Sequence, residues 1–392
     1  MKFIHISDLH LGKRINEYSM IEDQKFILEQ ILDIAEREQP QMVLIAGDVY
    51  DRSIPSTEAL EIFEGFLCRL SDAGHQVYII SGNHDSAERL SFGSRLMEQS
   101  GIHMAQALGK QTFEGKAVYE LEDEHGKIDL YLLPFLKPAT LRHALLAAGK
   151  ITEEEAAGID TYTKAMAAAI AALDVDPDRR NILVSHQFVT GAKRSESEEV
   201  MVGGLDNIDG DVFDGFDYVA LGHLHGPQTL GERAQIRYCG SPLKYSFSEV
   251  NQKKSVTVVE IGEDRTATIR EVPLKPLHEW IDICGTFEQV TGDDFLTQTD
   301  REAYTRITLL DEDDVPDAVG RLKLCYPNMM SMRYDNKRTR QEQDLSHGAE
   351  LEQRSEMDLF RELFEMQNNM SMNEKQTDLV KKLIEEIKEE MI

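Results

Sequence analysis

Five short apolar runs in the first two thirds of the chain each end in residues that can bind a metal ion. The runs are rich in β-branched residues and are too short for helices, so they are predicted to be strands. Helical periodicity lies between them, near 22–38, 56–72, 86–99 and 152–174. This alternation predicts a layered α/β fold, in which ligands gather beyond the carboxyl ends of the strands. The runs are 3–6, 42–46, 77–80, 182–184 and 218–221.

The residues that follow these five runs have side chains suited to a divalent cation. Carboxylates, imidazoles and one amide favour manganese, iron or zinc, and the absence of thiolates argues against a closed structural zinc site. Two metal ions that share a bridging carboxylate form a known device for cleaving phosphate esters. The candidate ligands are Asp8, His10, Asp48, Asn83, His84, His186, His223 and His225.

Each of these motifs is weak evidence when it is taken alone. An Asp-x-His or Gly-Asp pair is common by chance, and a histidine after a strand is often only a hydrogen-bonded residue at the edge of the core. Gly82-Asn83-His84-Asp85 is more informative, because glycine permits a tight turn directly before two ligand types. The five motifs together, in order and each at a predicted strand end, indicate a metal site.

The composition is typical of a globular protein, but its strong negative charge counts against binding to nucleic acid. The 392 residues carry a formal net charge of −29, whereas a protein that binds DNA alone usually has a basic face. Metal ions, local basic residues or a partner must therefore supply positive charge if DNA is the substrate. The sequence contains no run of eighteen apolar residues, so no membrane span is predicted. The spacing of the four cysteines gives no CxxC pair and argues against a disulfide framework.

The pattern changes after about residue 234. Residues 235–239, 255–261 and 266–272 are predicted to be strands that complete a second sheet, and Pro273 and Pro276 suggest a boundary. A small α/β unit follows over roughly 279–335, and then a charged stretch leads into two amphipathic segments. The predicted domains are 1–275, 276–340 and 341–392. The apolar faces of the two last segments consist of Leu359, Phe360, Leu363, Phe364 and Met366, and of Leu379, Val380, Leu383, Ile384 and Ile387.

The five motifs resemble the five-block signature of calcineurin-like metallophosphoesterases. The residues within and next to these motifs are similar to those of the SbcD family of exonuclease subunits, over roughly residues 1–275. The resemblance implies an α/β fold, with a two-sheet β-sandwich core flanked by helices, a small α/β capping domain and C-terminal helices. It is carried by Ser7-Asp8-Leu9-His10-Leu11-Gly12, Ala46-Gly47-Asp48-Val49-Tyr50-Asp51, Gly82-Asn83-His84-Asp85-Ser86, His186, Leu221-Gly222-His223-Leu224-His225 and Tyr238-Cys239-Gly240-Ser241-Pro242.

The family's roles can be placed on matching positions of this chain. One metal ion would be held by Asp8, His10, Asp48 and His225, and a second by Asp48, Asn83, His186 and His223, with Asp48 bridging. His84 would contact the scissile phosphate or protonate the leaving oxygen, and Asp85 would orient His84. Lys13 and Arg14 are candidate contacts to the DNA backbone or simply solvated charges. Some relatives have a second histidine where this chain has Asp51, so the role of Asp51 stays open.

The resemblance also implies an activity and partners. The expected function is a manganese-dependent DNA nuclease, acting as a double-strand exonuclease and a single-strand or hairpin endonuclease in DNA end processing, repair and recombination. The C-terminal helices would dock on an SbcC-type coiled-coil ATPase, or else pack on their own domain. A homodimer within a heterotetramer and a cytoplasmic, nucleoid-associated location in a bacterium are also expected.

Two other functions compete with this hypothesis. A small-ester phosphatase or cyclic-nucleotide phosphodiesterase of the same superfamily would not need the predicted cap and docking helices. A DNA-end-binding scaffold without catalysis would not need the intact ligand set or His84. The 279–335 unit has no ligand motif of its own, so it is either a cap that admits DNA or an appendage that adds stability.

Overall fold

The computed structural model describes residues 1–115, 117–198 and 207–337, and the isolated positions 339, 372, 376, 377 and 380. The strands of the described residues are β1 Lys2–Ile6, β2 Arg14–Ile15, β3 Tyr18–Ser19, β4 Met42–Ala46, β5 Gln76–Ile80, β6 Ile102–Met104, β7 Val118–Asp123, β8 Gly126–Leu133, β9 Arg180–His186, β10 Tyr218–Gly222, β11 Gln228–Leu230, β12 Arg233–Tyr238, β13 Ser255–Ile261, β14 Ala267–Pro273, β15 Trp280–Gly285, β16 Tyr304–Leu309 and β17 Met329–Tyr334. The helices are α1 Ile21–Glu38, α2 Thr57–Asp72, α3 Ala87–Leu90, α4 Ser94–Met97, α5 Pro138–Ala147, α6 Glu153–Ala157, α7 Tyr162–Ala172, α8 Phe287–Thr291, α9 Asp293–Gln298 and α10 Ala318–Cys325.

Two six-stranded sheets form the body of the molecule. The first has the order β14-β13-β1-β4-β5-β6, and its strands β1, β4, β5 and β6 run parallel. The second has the order β11-β12-β10-β9-β8-β7, with β8, β9, β10 and β12 parallel. The central parallel strands of both sheets therefore end at one edge, where the polar motifs follow.

The prediction that the three strands after residue 234 complete a second sheet was wrong for two of them. Only β12 joins the second sheet, whereas β13 pairs antiparallel with β1 and β14 pairs with β13 in the first sheet. All but one of the residues of β13 are buried. Such a strand fits a position inside a sheet, with a neighbour on each side, and not an exposed edge.

The two sheets pack face to face and are covered by helices on their outer faces. An apolar cluster between the sheets includes Phe3, Leu44 and Val184. A second cluster packs α1 and α2 on the outer face of the first sheet, and a third packs α5 and α7 on the second. This arrangement confirms the predicted α/β fold with a two-sheet sandwich flanked by helices.

Two predicted helices are broken in the structure. The stretch 86–99 forms two single turns, α3 and α4, because Gly93 takes a left-handed conformation with φ of 78° between them. The stretch 152–174 forms α6 and α7, since Thr161 starts a new helix by accepting a hydrogen bond from the Lys164 N–H. The predicted helices near 22–38 and 56–72 are present as α1 and α2.

A third sheet, of the parallel strands β15, β16 and β17, forms a small unit with α8, α9 and α10 around its own apolar cluster. Trp280, Tyr304 and Met330 pack against Met20 and Phe247 of the preceding part of the chain. The predicted domain boundaries at 275/276 and 340/341 stay a prediction.

The two C-terminal amphipathic segments lie outside the described residues, apart from isolated positions such as Val380. Of the helices in the part of the chain that the structure describes, none is both long enough and apolar enough to cross a membrane.

Candidate metal centre

The strand ends of both sheets bring the predicted ligands to one place. Asp8 and His10 follow β1, Asp48 follows β4 and Asn83 follows β5 in the first sheet, while His186 ends β9 and His223 follows β10 in the second. The backbone ties adjacent strand ends together, because the Asp8 N–H donates to the Gly47 carbonyl at 3.0 Å and the His10 N–H donates to the Asp48 carbonyl at 3.0 Å.

Two motif glycines allow these strand ends to approach closely. A Cβ atom at Gly82 would lie 2.1 Å from Asp48 Oδ1, and one at Gly222 would lie 1.9 Å from the Ala46 carbonyl oxygen. Both distances are far below van der Waals contact. In each case the atom that approaches the glycine belongs to another motif. Glycine at these positions therefore lets the ligand loops of the two sheets meet.

The first group of donor atoms consists of Asp8, His10 and His225. One ligand atom from each lies within 4.8 Å of the others, and all three side chains are buried. The His10 Nε2 and His225 Nε2 atoms are 3.1 Å apart. The Asp8 carboxylate accepts hydrogen bonds from the Ser7 hydroxyl and from the His223 N–H.

The second group consists of Asn83, His186 and His223. Asn83 Oδ1 lies 3.0 Å from His186 Nε2 and 3.0 Å from His223 Nδ1. The other nitrogen of His186, Nδ1, is 2.8 Å from the Ala46 carbonyl oxygen. A carbonyl can only accept, so Nδ1 carries the proton and Nε2 presents a lone pair when the ring is neutral.

Asp48 lies between the two groups. Its Oδ2 atom is 3.3 Å from His186 Nε2 and 3.7 Å from His10 Nε2. Its Oδ1 atom accepts the His84 N–H at 2.9 Å. One oxygen therefore faces both groups, as the bridging role predicted for Asp48 requires.

These donor sets fit two cations, because atoms that can only accept hydrogen bonds or bind a cation face one another across the site. With its proton on Nδ1, neutral His186 points a lone pair at the carbonyl oxygen of Asn83, and Oδ2 of Asp48 lies on the same side. Such an arrangement is repulsive unless a cation or a proton lies among the atoms. Imidazole, amide and carboxylate donors suit a borderline divalent metal ion.

The pKa shifts in the site follow from the burial of its side chains and from their closeness to one another. Burial lowers the pKa of His223 to about 3 and holds the pKa of His10 well below its ordinary value, so both rings are neutral. Burial also opposes protonation of His186, but the Asp48 carboxylate outweighs it and raises the pKa of His186 to about 9. A cation beside Asp48 would take the place of that proton, since metal binding releases protons from its ligands.

His84 lies beside the first group, with its ring centre 4.8 Å from that of His10, and the Asp51 carbonyl holds its ring. The Nδ1 atom of His84 is 3.0 Å from the Asp51 carbonyl oxygen, which leaves Nε2 free. The predicted orienting contact from Asp85 was wrong. Both Asp85 oxygens accept from backbone N–H groups, namely those of Val49, Tyr50 and Gly82, so Asp85 fixes the loop that carries Asp48 instead.

The two candidate basic residues differ in position. Lys13 Nζ donates to Asp51 Oδ1 at 2.6 Å, and the same oxygen is 3.8 Å from Nδ1 of the candidate ligand His10, so Lys13 is beside the site. Arg14 is exposed on β2 and donates to the Glu17 carbonyl. The structure therefore brings Lys13 and not Arg14 to the candidate ligands.

Sequence reasoning missed a group of residues behind His225. Ser197, Glu198, Glu249 and Lys254 contact this histidine or one another through hydrogen bonds. They belong to no recognisable spacing. Ser241, in the motif Tyr238-Cys239-Gly240-Ser241-Pro242, accepts a hydrogen bond from Lys254, and this was the only signal near them.

Comparisons with known proteins cover most of the chain. A family model of calcineurin-like phosphoesterases matches residues 1–227, and a model described as a type 5 capsule protein repressor C-terminal domain matches residues 273–368. A Staphylococcus epidermidis protein, named as the SbcD component of the nuclease SbcCD, is 31% identical over 390 residues, which is 98% of each chain. A Staphylococcus saprophyticus protein of the same name is 34% identical and covers 85% of this chain and 84% of its own.

A solved structure of a dimetal phosphatase from Danio rerio covers 71% of this chain and 98% of its own, with 14% identity and a TM-score of 0.41. That likeness is too distant to add to the assignment. The phosphoesterase model spans more than half of the chain, and the Staphylococcus epidermidis relative spans nearly all of it. The chain therefore belongs to the calcineurin-like phosphoesterase family and, within it, to the group of SbcD proteins.

Proposed function

We propose that the chain is a metal-dependent DNA nuclease that hydrolyses phosphodiesters at a two-metal centre. The observation that carries the proposal is that Asp48 Oδ2 faces two separate groups of donor atoms. The names of the two relatives, which are components of an SbcCD nuclease, support DNA as the substrate.

The residues divide the work as follows. Asp8, His10, Asp48 and His225 would hold one ion, and Asp48, Asn83, His186 and His223 the other. Two divalent ions, most consistent with manganese, would supply positive charge to the phosphate oxygens and lower the pKa of an attacking water. His84 Nδ1 donates its proton to the Asp51 carbonyl, so His84 would act as the imidazolium cation, which carries a second proton at Nε2 and donates it to the leaving oxygen.

Charge explains why the site and not the surface binds the substrate. The chain carries a net charge of −29, which repels a polyanion over most of the surface. Lys13 is a cation whose side chain is only 15% exposed and which lies beside the candidate ligands. We assign to it a contact with a phosphate next to the scissile bond, and we assign no such role to Arg14.

The wider setting of the proposal comes from the family. Double-strand exonuclease and single-strand or hairpin endonuclease activity, in DNA repair and recombination within a bacterial cell, is the setting proposed here. An SbcC-type ATPase is the proposed partner, and the C-terminal segment matched in part by the second family model is its proposed docking site.

We also propose that the chain forms a homodimer, on the evidence of an exposed apolar surface. Phe92 is 83% exposed, Leu96 77% and Ile54 66%. They lie at or near a mainly apolar cleft of about 610 Å³ that Leu60, Phe63 and Phe92 help to line. Large exposed apolar side chains that cluster in this way mark an interface.

A small-ester phosphatase remains the rival enzyme, and a single experiment separates the two. The full chain is incubated with manganese and either end-labelled linear duplex DNA or a small chromogenic phosphate ester, with and without the ATPase partner. The expected result is DNA cleavage that EDTA abolishes and that His84→Gln reduces by about 100-fold or more, since proton transfer by a positioned group contributes that much.

His125→Gln is the matched control, because His125 is an exposed histidine in the turn between β7 and β8. It is expected to cut DNA like the unaltered chain. Turnover of the small ester with intact DNA, even with the partner present, would favour the phosphatase. No turnover of either substrate would leave the binding scaffold as the function.

A further inference from the structure

Behind the candidate ligand His225 lies a buried ion pair between Glu249 and Lys254. The side chain of Glu249 is 0% exposed and that of Lys254 is 4% exposed, and their charged atoms are 2.5 Å apart. Lys254 Nζ also donates to the His225 carbonyl at 2.8 Å, to Ser241 Oγ at 3.0 Å and to Gln252 Oε1 at 2.8 Å. The ammonium group is therefore fully surrounded by acceptors.

The carboxylate of this pair reaches the ring of His225. Glu249 Oε1 accepts from the Ser197 hydroxyl at 2.5 Å, and Ser197 Oγ lies 2.7 Å from His225 Nδ1. Glu249 Oε1 is itself 3.5 Å from the same nitrogen. Because the hydroxyl gives its own proton to Glu249, it can only accept from His225 Nδ1.

The backbone of His225 is fixed as well as its ring. The His225 N–H donates to Glu198 Oε1 at 2.6 Å, and its carbonyl accepts from Lys254. Glu198 is held in turn by the Ser195 N–H and hydroxyl. Both ends of the residue and one ring nitrogen are thus tied to the same network.

The chemistry of the network decides which nitrogen of His225 is available. A proton on Nδ1 leaves a lone pair on Nε2, and Nε2 is the atom that lies 3.1 Å from His10 Nε2 in the first donor group. Partners of this kind, which bind the far nitrogen of a ligand histidine, fix its tautomer and its orientation. A buried ion pair is weak evidence for stability, because desolvation offsets most of its attraction.

We infer that Glu249, locked in place by Lys254, is the positioning residue for His225, and that it sets the affinity of the ion assigned to Asp8, His10, Asp48 and His225. This inference rests on the proposed two-metal site. It concerns one ion only, because the contacts of Asn83 and His186 involve none of the residues in the network. Loss of Glu249 should therefore weaken the binding of one ion and leave the binding of the other unchanged.

The test is calorimetric titration of the metal-free full chain with manganese. Glu249→Gln is expected to weaken one of two binding events by about 10- to 100-fold and to leave the second unchanged, as for other partners of ligand histidines. Raised manganese should restore DNA cleavage to its maximal rate. Glu279→Gln is the matched control, because Glu279 also pairs with a buried lysine, Lys244, but contacts no candidate ligand.

Two further variants keep the test decisive if Glu249→Gln unfolds with Lys254 unpaired. Glu249→Gln with Lys254→Met removes both charges, and Ser197→Ala removes only the bridging hydroxyl; both should weaken the same binding event, Ser197→Ala less. Melting in EDTA identifies the folded variants. Two wild-type binding events in any folded Glu249 variant, or in Ser197→Ala if none folds, would overturn the inference.

Calorimetry uses no DNA, so the two proposals fail separately. A chain that binds two ions and cuts no DNA with its partner present would overturn the nuclease and leave the positioning role of Glu249 intact. A chain that binds no manganese would overturn both.

Discussion

The candidate ligands sit where the backbone leaves the strand conformation. Asp8, His10 and Asp48 have φ values of 54°, 44° and 48°, and His223 has a φ of 99°. Left-handed backbone is unusual outside glycine and costs on the order of 1 kcal/mol or more per residue. The turn that ends each strand is also the turn that aims its side chain at a common point, so local strain and ligand geometry have one cause.

Asp48 offers the sharpest prediction at the residue scale. Asp48→Asn keeps the shape of the side chain but replaces the shared oxygen with a neutral amide, so both ions should bind at least about 10-fold more weakly. Metal content after gel filtration measures this. Asp129→Asn, the same change at a buried carboxylate paired with Arg179, should keep two ions. Retention of two ions in Asp48→Asn would contradict the bridging role.

The sequence predicted which candidate ligands the structure brings together, but it did not predict the residues that support them. Each candidate ligand stands at or shortly after the end of an apolar run, so spacing alone was enough to propose it. Glu249 and Ser197 act on His225 across 24 and 28 positions of the chain, and no local pattern records such a contact. Asp85 was misjudged because its partners are backbone N–H groups, which every residue carries.

At the scale of elements, one buried arginine joins strands of both sheets. Arg180, at the start of β9, donates to the Asp123 carboxylate at the end of β7 and to the Ile261 carbonyl at the end of β13. It also donates to the Gly126 carbonyl of β8. Hydrogen bonds from Arg180, and a further one from the amino group of Met1, hold the pKa of Asp123 well below its ordinary value, although burial opposes this.

This ion pair predicts a pH dependence of stability. A carboxyl group whose pKa is depressed by folding stabilises the fold above its unfolded pKa of 3.8, and that stabilisation is lost as the pH falls further. Asp123→Asn should lower the free energy of unfolding by roughly 3 kcal/mol at neutral pH. The difference from the unaltered chain should shrink below about pH 4. Urea denaturation at a series of pH values measures both.

The control for this prediction is Asp282→Asn, at a partly exposed carboxylate that pairs with Arg306. Exposed pairs contribute roughly 0 to 1 kcal/mol. A difference for Asp123→Asn that stays constant from neutral to acid pH would contradict the depressed pKa of Asp123.

Elements were predictable where their signal was local. Strands β1, β4 and β5 and helices α1 and α2 have clear periodicity and appear as predicted. The hairpin of β7 and β8 was missed, since half of β7 is Glu or Asp. The sequence also could not predict which sheet β13 joins, because its partner β1 lies more than two hundred positions earlier.

At the scale of the whole molecule, the exposed apolar surface predicts self-association. Phe92→Glu places a charge in the middle of the proposed interface and should convert a dimer into a monomer in sedimentation velocity. Phe295→Glu is the control, because Phe295 is a partly exposed phenylalanine on the small third-sheet unit. Its dimer should persist. A monomeric unaltered chain, or a dimeric Phe92→Glu variant, would contradict the proposed interface.

The pairing of β1 with β13 has a consequence for how the chain is made. Lys2 pairs with Glu260 and His5 with Thr257, so one side of β1 lacks its neighbour until the ribosome has added about 250 more residues. At ordinary rates of synthesis this takes roughly 12 to 50 seconds. Ribosome-bound chains that end before β13 should be digested by protease faster than chains that end well after β14; equal rates would contradict this.

During that interval the nascent chain presents an unpaired apolar strand edge, which is a template for aggregation. Production of this protein should therefore depend on chaperones that bind nascent chains, and slower translation should lengthen the exposure.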